Sequence, residues 1–216
     1  MKNIAIFGAG GFGREVKTII DAINKQIPNT YNFIGFYDDG IKKGTVINGF
    51  PVLGGVEDFN KVISDLELVI AIGDSKVKKI IIEKIENKFI SFPSLIHPKA
   101  SVSSDDVKLG KGCIICEGTI ITCNIVIGDF VVLNLMCTVG HDTVIEDFCA
   151  FMPAVNISGE VVIRESVYVG TGAKIINLLE IGKNTIVGAG AVVSKSLPEN
   201  CIAVGIPAKP IKFHNQ

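Results

Sequence analysis

The sequence predicts two domains in series, a small α/β domain followed by an all-β solenoid. Two observations carry this. Glycines at 8, 10 and 13 stand between a short apolar strand and an amphipathic helix, and from Leu109 to Val193 an apolar residue recurs at every sixth position. Composition points the same way: 48% of the 216 residues are hydrophobic, yet there is no Trp and only three Tyr, which leaves Val, Ile and Leu, the residues of buried strands.

The first domain is expected over residues 1–96. "NIAIF" reads as a strand, "GAGGFG" as a glycine turn, and the following helix repeats Val16, Ile19, Ile20 and Ile23 at 3.6-residue spacing. Gly8, Gly10 and Gly13 fit G-x-G-x-x-G, a turn that brings backbone N–H groups and a helix N-terminus to a phosphate. A second strand, "NFIGFY", ends at Asp38 and Asp39, where a carboxylate can accept hydrogen bonds from ribose hydroxyls. A third, Leu68 to Gly73, leads into Asp74 and Ser75 as helix caps and a helix from Lys76 to about Asn87.

This β-α-β-β-α-β succession implies a small, Rossmann-like parallel sheet whose ligand edge gathers Gly10, Gly11, Phe12, Asp38, Asp39, Gly73 and Asp74. About ninety residues supply one half of a dinucleotide fold. A mononucleotide or nucleotide sugar therefore fits better than NAD, and a turn that serves only helix packing would use the same glycines.

Pro98 interrupts any strand ladder, so the second domain is expected over residues 97–216. Stepping by six from Leu109 meets Ile115, Ile121, Ile127, Leu133, Val139, Ile145, Phe151 and so on to Val193, fourteen of fifteen being aliphatic. Four positions after each comes an uncharged residue, among them Cys113, Cys137, Cys149, Thr119 and Thr143, which reads as a second interior row. A fixed six-residue unit stable only when stacked implies a parallel β-helix of hexapeptide repeats, about five coils and about 24 Å tall at the usual strand spacing.

Other classes recede on composition. With 21 Lys+Arg against 22 Asp+Glu and no block of like charges, nothing marks a nucleic-acid surface. No apolar stretch approaches the roughly 18 to 20 residues of a spanning helix, and "MKNIAIFGAGG" runs straight into a strand, so a cytoplasmic chain with no membrane insertion is expected. The six Cys are then reduced thiols, and "CIIC" lacks the second ligand pair of a metal site, so no metal is expected.

The hexads "LGKGC", "IGDFV", "IGKNT" and "VGAGA" resemble those of the left-handed β-helix acyltransferases. With "GAGGFGRE", "YDD", "AIGD", "GHD" and "VGIPAK" in order, nearly the whole chain resembles the sialic acid O-acetyltransferase and bacillosamine-type UDP-amino-sugar N-acetyltransferase family. The resemblance implies left-handed coils, a homotrimer, acetyl-CoA in the groove between neighbouring prisms, and a nucleotide held by the first domain. It implies transfer of acetyl to an amino or hydroxyl group of a nucleotide-linked sugar, such as a UDP-4-amino sugar. It also places the general base at His141, with Asp142 beside it and the Gly159 amide as oxyanion donor. Imidazole suits a proton transfer near neutral pH. His141 falls in neither interior row and should point outward, as would a merely solvated histidine; Gly159 could equally be a simple corner glycine.

By the same resemblance Ala150, Gly159, Thr171, Gly172, Ala189, Gly190 and Lys209 line the acetyl-CoA, "VGIPAKPIK" closing over it. Two departures leave the acceptor open: Phe12 stands where many members have a histidine, and Ala150 where some have another. Outward-facing Ile125, Val131, Leu135 and Phe151 are taken as the apolar faces of the trimer. Sialic acid O-acetylation, a non-catalytic trimeric nucleotide-binding scaffold and an NAD-dependent oxidoreductase are the competing expectations.

Overall fold

In the computed structural model, which describes residues 1–214, contacts divide the chain into two compact units, Met1–Pro98 and the part from Lys99 onward. Residues 215–216, the end of the second expected domain, lie outside the described residues.

The first unit is a Rossmann-like α/β fold. Strand β1 (Lys2–Phe7) enters helix α1 (Gly11–Gln26), then come β2 (Tyr31–Tyr37), β3 (Val46–Ile47), β4 (Phe50–Gly54), a short helix α2 (Val56–Phe59), β5 (Leu66–Ile70), α3 (Ser75–Glu83) and β6 (Ile90–Ser91). The sheet order is β3-β4-β2-β1-β5-β6, with β1 parallel to both β2 and β5. Chain order therefore reverses at β1, whose carboxyl end is where ligands bind in open α/β sheets. Residues Ile4 to Phe7 of β1 are buried, as are Gly13, Val16, Ile19 and Ile20 of α1.

Three elements differ from expectation. Asn48 (φ 48°) and Gly49 (φ 84°) turn β3 onto β4 as a two-residue hairpin, the geometry that Asn-Gly favours. The third parallel strand runs Leu66–Ile70 rather than Leu68 to Gly73: Ala71 N makes a last bond to the Phe7 carbonyl (2.8 Å), and residues 72–74 form the loop before α3. Helix α3 stops at Glu83, short of Asn87: the Asn87 amide donates to the carbonyls of Phe59 (3.0 Å) and Val62 (2.7 Å), which pulls that segment off the helix axis.

The second unit is the left-handed β-helix. Through the middle coils each strand residue pairs with the one 18 positions on, as Ile114 with Val132 and Val132 with Ala150, the step being 19 at Ser101–Ile120 and 16 at Ile186–Ile202. Three faces result. The first carries Ile114–Ile115, Val132–Leu133, Ala150–Phe151, Tyr168–Val169 and Ile186–Val187; the second Ile120–Ile121, Thr138–Val139, Asn156–Ile157 and Lys174–Ile175; the third Ile125–Ile127, Val144–Ile145, Val162–Ile163 and Glu180–Ile181.

Both interior rows are present. Ile115, Leu133, Val139, Phe151 and Val169 are at most 1% exposed, as are Cys113, Cys137, Cys149, Thr119 and Thr143. The second row is more than filler: Cys113 Sγ donates to the Gly128 carbonyl (3.1 Å), Cys149 Sγ to that of Arg164 (3.1 Å), Thr119 Oγ1 to that of Asn134 (3.1 Å) and Thr143 Oγ1 to that of Ser158 (3.3 Å). Each acceptor lies 15 residues on, so small hydroxyls and thiols at this position satisfy carbonyls that turn inward at the same corner of the next coil. Burial pushes the Cys137 thiol up to about 11, leaving it a neutral donor.

The corners are made in an unexpected way. One residue in six takes left-handed φ: Asn124 (55°), Phe130 (56°), Met136 (60°), Asp142 (57°), Phe148 (62°) and Ala154 (60°) continue the series. Only Asn, Asp and Gly adopt this at little cost. Phe130, Met136 and Ala154 are held there by the stacked coils, and nothing in those residue types announces it.

The expected apolar surface needs correction. Ile125, Val131 and Phe151 are 0% exposed, since the first two belong to the second interior row and Phe151 to the first. Leu135 is 41% exposed, with Met136 (63%) on the same corner and Ile120 (46%) on the second face, while Ile176 (40%) and Leu178 (65%) lie on the corner between the second and third faces.

Candidate active site

His141 and Asp142 form the corner between Thr138–Val139 of the second face and Val144–Ile145 of the third. Val139, Thr143 and Ile145 are at most 1% exposed and anchor this turn, so the intervening side chains project outward. His141 Nδ1 lies 2.7 Å from Asp142 Oδ2, with side chains 57% and 47% exposed. The other oxygen, Asp142 Oδ1, accepts from Asn124 Nδ2 (3.1 Å), one coil below. The hydrogen bonds from His141 and Asn124 hold the Asp142 carboxyl below its ordinary range, so it is ionised at neutral pH. An ionised carboxylate accepts from Nδ1–H, which leaves the lone pair on Nε2.

One coil above, the imidazole lies flat on Gly159. A Cβ built on that glycine would sit 2.6 Å from both Cε1 and Nε2 of His141. The glycine thus makes room for the ring. Among the described residues its amide N–H has no hydrogen-bond acceptor, while its carbonyl accepts from Leu178 N (3.2 Å).

Thr171, Gly172, Ala189 and Gly190 do not continue this edge. They lie between the first and second faces, Thr171–Gly172 joining Tyr168–Val169 to Lys174–Ile175, with Gly190 N donating to the Thr171 carbonyl (2.8 Å). No side chain or backbone lies within 4 Å of where a Cβ would be on Gly172 or Gly190, so that edge is open. Ala150 is a correction of another kind: it is 1% exposed within the first face, between Val132 and Tyr168, so its methyl lines no groove. Lys209 is exposed on Ala208–Phe213, which pairs antiparallel with Cys201–Gly205, so the closing segment is a hairpin rather than a loop.

In the first unit, a Cβ on Gly13 would overlap the Gly8 carbonyl oxygen, so this glycine lets α1 close on β1. Gly10 precedes α1 with no side-chain cap, and neither Gly10 nor Gly73 has an atom within 4 Å of its would-be Cβ, leaving main chain open to a ligand. Gly11 opens α1 exposed and Phe12 follows half-buried.

The acidic pair, expected to be free for a ribose, is already engaged. Asp38 Oδ2 accepts from Ala9 N (2.9 Å) and Oδ1 from Gly40 N (2.8 Å), while Asp39 Oδ1 accepts from Val56 N (2.8 Å). Asp38 shapes the glycine turn, and Asp39 the start of α2. Asp74 caps α3 as expected, accepting from Lys76 N (2.8 Å) and Val77 N (3.0 Å). Among the described residues no cluster of His, Cys, Asp and Glu could hold a metal, and no helix is long and apolar enough to cross a membrane.

Comparison with known proteins agrees with both units. Residues 3–85 match the PglD N-terminal domain. GDP-perosamine N-acetyltransferase of Escherichia coli O157:H7 is 34% identical, over 98% of this chain and 97% of its own. The acetyltransferase domain of PglB from Neisseria gonorrhoeae, solved with acetyl coenzyme A, superposes with a TM-score of 0.89 at 32% identity, covering 97% of this chain and 99% of that one. PerB from Caulobacter crescentus, solved with CoA and GDP-perosamine, gives 0.85 at 30% identity over 98% of each chain. With a nucleotide-type α/β unit, a hexapeptide β-helix and an outward His–Asp pair in one chain, the protein belongs to the GDP-perosamine/bacillosamine-type family of left-handed β-helix N-acetyltransferases.

Proposed function

We propose that this chain transfers acetyl from acetyl-CoA to the amino group of a nucleotide-linked amino sugar, with His141 as general base. The observation that carries the proposal is the His141–Asp142 pair held outward over Gly159. The sugar amine attacks the thioester carbonyl carbon as its proton passes to His141 Nε2. The oxyanion that forms takes a hydrogen bond from the Gly159 N–H, which has no acceptor among the described residues. Collapse breaks the C–S bond, and the imidazolium returns the proton to the departing CoA sulfur. Asp142 stabilises that imidazolium and keeps Nε2 the basic nitrogen.

The α/β unit is assigned the nucleotide, on the open main chain at Gly10, Gly11 and Gly73 beside Phe12 and the Asp74-capped helix. Asp38 and Asp39 act there by shaping the turn. GDP-perosamine, the ligand of PerB, is the first acceptor to assay, and a UDP-linked 4-amino sugar the second.

A homotrimer accounts for the two edges. The His141–Gly159 edge of one copy would meet the Thr171–Gly190 edge of a neighbour, enclosing pantetheine between them, with Lys209 near the cofactor's phosphates. Exposed Leu135, Met136 and Ile120 supply apolar surface for that contact. Light scattering at micromolar concentration should report three copies, and a monomer would refute the shared groove. His141→Ala should lower kcat by roughly 10²- to 10⁴-fold at little change in CoA affinity. Unaltered kcat with a turned-over acceptor would reject the assignment.

A further inference from the structure

Successive coils put the same corner of the prism at one strand spacing, about 4.8 Å, so side chains 18 residues apart can bond directly. On the corner between the third and first faces Arg164 bonds Glu146 and Lys183 bonds Glu165 in this way. At the His141 corner Asn124 and Asp142 do so: both take left-handed φ (55° and 57°), which stacks their side chains in parallel, and Asn124 Nδ2 donates to Asp142 Oδ1 at 3.1 Å.

Both ends of this contact are anchored. Asn124 N donates to the Asp105 carbonyl (3.0 Å), which fixes the point from which its amide emerges, and Asp142 N donates to the Cys123 carbonyl (3.1 Å). The Asp142 carboxylate itself is half exposed. Without the Asn124 donor nothing else among the described residues holds Oδ1, and rotation about χ2 would carry Oδ2 away from His141 Nδ1. The imidazole would then lose both its preferred tautomer and the alignment that lays Nε2 over Gly159.

We infer that Asn124 is a positioning residue of the acyl-transfer site, orienting the Asp142 carboxylate so that Asp142 orients His141. The inference rests on the proposed role of His141 as base. Three coils therefore build one general base: Asn124 from below, His141 and Asp142 at the centre, and Gly159 above.

The protein supplies its own control. Asn184 Nδ2 donates to Asn200 Oδ1 (3.0 Å), again between two residues at left-handed φ (57° and 56°), but at a different corner with no imidazole attached. A contact that matters only for stacking coils should behave alike at both places.

The test compares Asn124→Ala and Asn124→Gly, the second removing the side chain without left-handed strain, with Asn184→Ala, Asp142→Ala, the double variant Asn124→Ala/Asp142→Ala, and His141→Ala. Acetyl-CoA is used with whichever of GDP-perosamine and the UDP-linked amino sugar turns over. Both Asn124 variants should lose kcat roughly tenfold, the order expected for one hydrogen bond to a charged group, with KM for acetyl-CoA unchanged. Asn184→Ala should keep kcat, and the double variant should be no slower than Asp142→Ala. Long-range ¹H–¹⁵N spectra of the imidazole, which need no acceptor, should show Nε2 unprotonated in the native protein and a tautomer mixture in Asn124→Ala. Native kcat in the Asn124 variants, additive losses in the double variant, or an unchanged tautomer would overturn the inference. Should His141→Ala itself retain kcat, the base assignment fails and the inference with it, a pattern distinct from failure at Asn124 alone.

Discussion

Replacing Gly159 with Ala should separate chemistry from folding. The new Cβ would lie 2.6 Å from Cε1 and Nε2 of His141 and 2.9 Å from Cδ2. Carbon contacts relax at about 3.5 to 4.0 Å, so the ring must retreat by about 1 Å. It has somewhere to go, because the His141 side chain is 57% exposed. Gly159 itself does not adopt a positive φ, so alanine fits the backbone and restricts the unfolded chain, an effect of about 0.4 to 1 kcal/mol in favour of folding. Stability should accordingly stay within about 1 kcal/mol of the native protein. The displaced ring no longer keeps Nδ1 against Asp142 Oδ2, and a shift of about 1 Å at a reacting group costs roughly 10²-fold in rate. The measurement pairs kcat, followed by release of the CoA thiol, with a thermal melt. A kcat within about threefold of native, or a melting temperature that falls along with kcat, would refute the reasoning.

Asp142→Asn should lower kcat while leaving the fold intact; because the native carboxyl lies below its ordinary range, its contribution is present above that range and fades only as pH falls through the lowered value, so Asp142 should not account for any activity change between pH 6 and pH 8, which a pH–rate profile checks. Thr143→Val strands the Ser158 carbonyl in the solenoid wall and should cost about 1 to 3 kcal/mol in denaturant unfolding. Gly13→Ala drives a methyl into the Gly8 carbonyl and should destabilise the first unit by about 1 to 3 kcal/mol or more, seen as lost nucleotide-sugar binding by calorimetry. Asp38→Ala releases the amides of Ala9 and Gly40 and should weaken nucleotide-sugar binding by loosening the turn, while acetyl-CoA binding persists.

The hexapeptide rows were legible because burial in a solenoid is periodic and independent of anything distant: a residue six positions on meets the same wall. Val139, Thr143 and Ile145 could be placed inside on spacing alone, and His141 outside by elimination. Gly8 and Gly13 were legible for a related reason, since a tight turn and a close helix crossing demand glycine locally. Asp38 and Asp39 were ambiguous in the sequence because a carboxylate at a strand end serves a ribose or a backbone amide equally well, and only the fold shows Ala9, Gly40 and Val56 presenting their N–H groups. Ile125, Val131 and Phe151 misled through a slip of face, since interior and exterior positions alternate within a few residues.

What the sequence determined by itself is the coiled architecture and the outward place of His141, the one histidine within the hexads, because both follow from local periodicity. Tertiary structure decided what surrounds that imidazole. Asn124, His141 and Gly159 lie 17 or 18 residues apart in the chain and become neighbours only when the coils stack, and the Thr171–Gly190 edge falls on another corner because six residues turn the chain through one side of the prism. Left-handed φ at Phe130, Met136 and Ala154 has the same origin: stacking of whole coils overrides the preference of each residue.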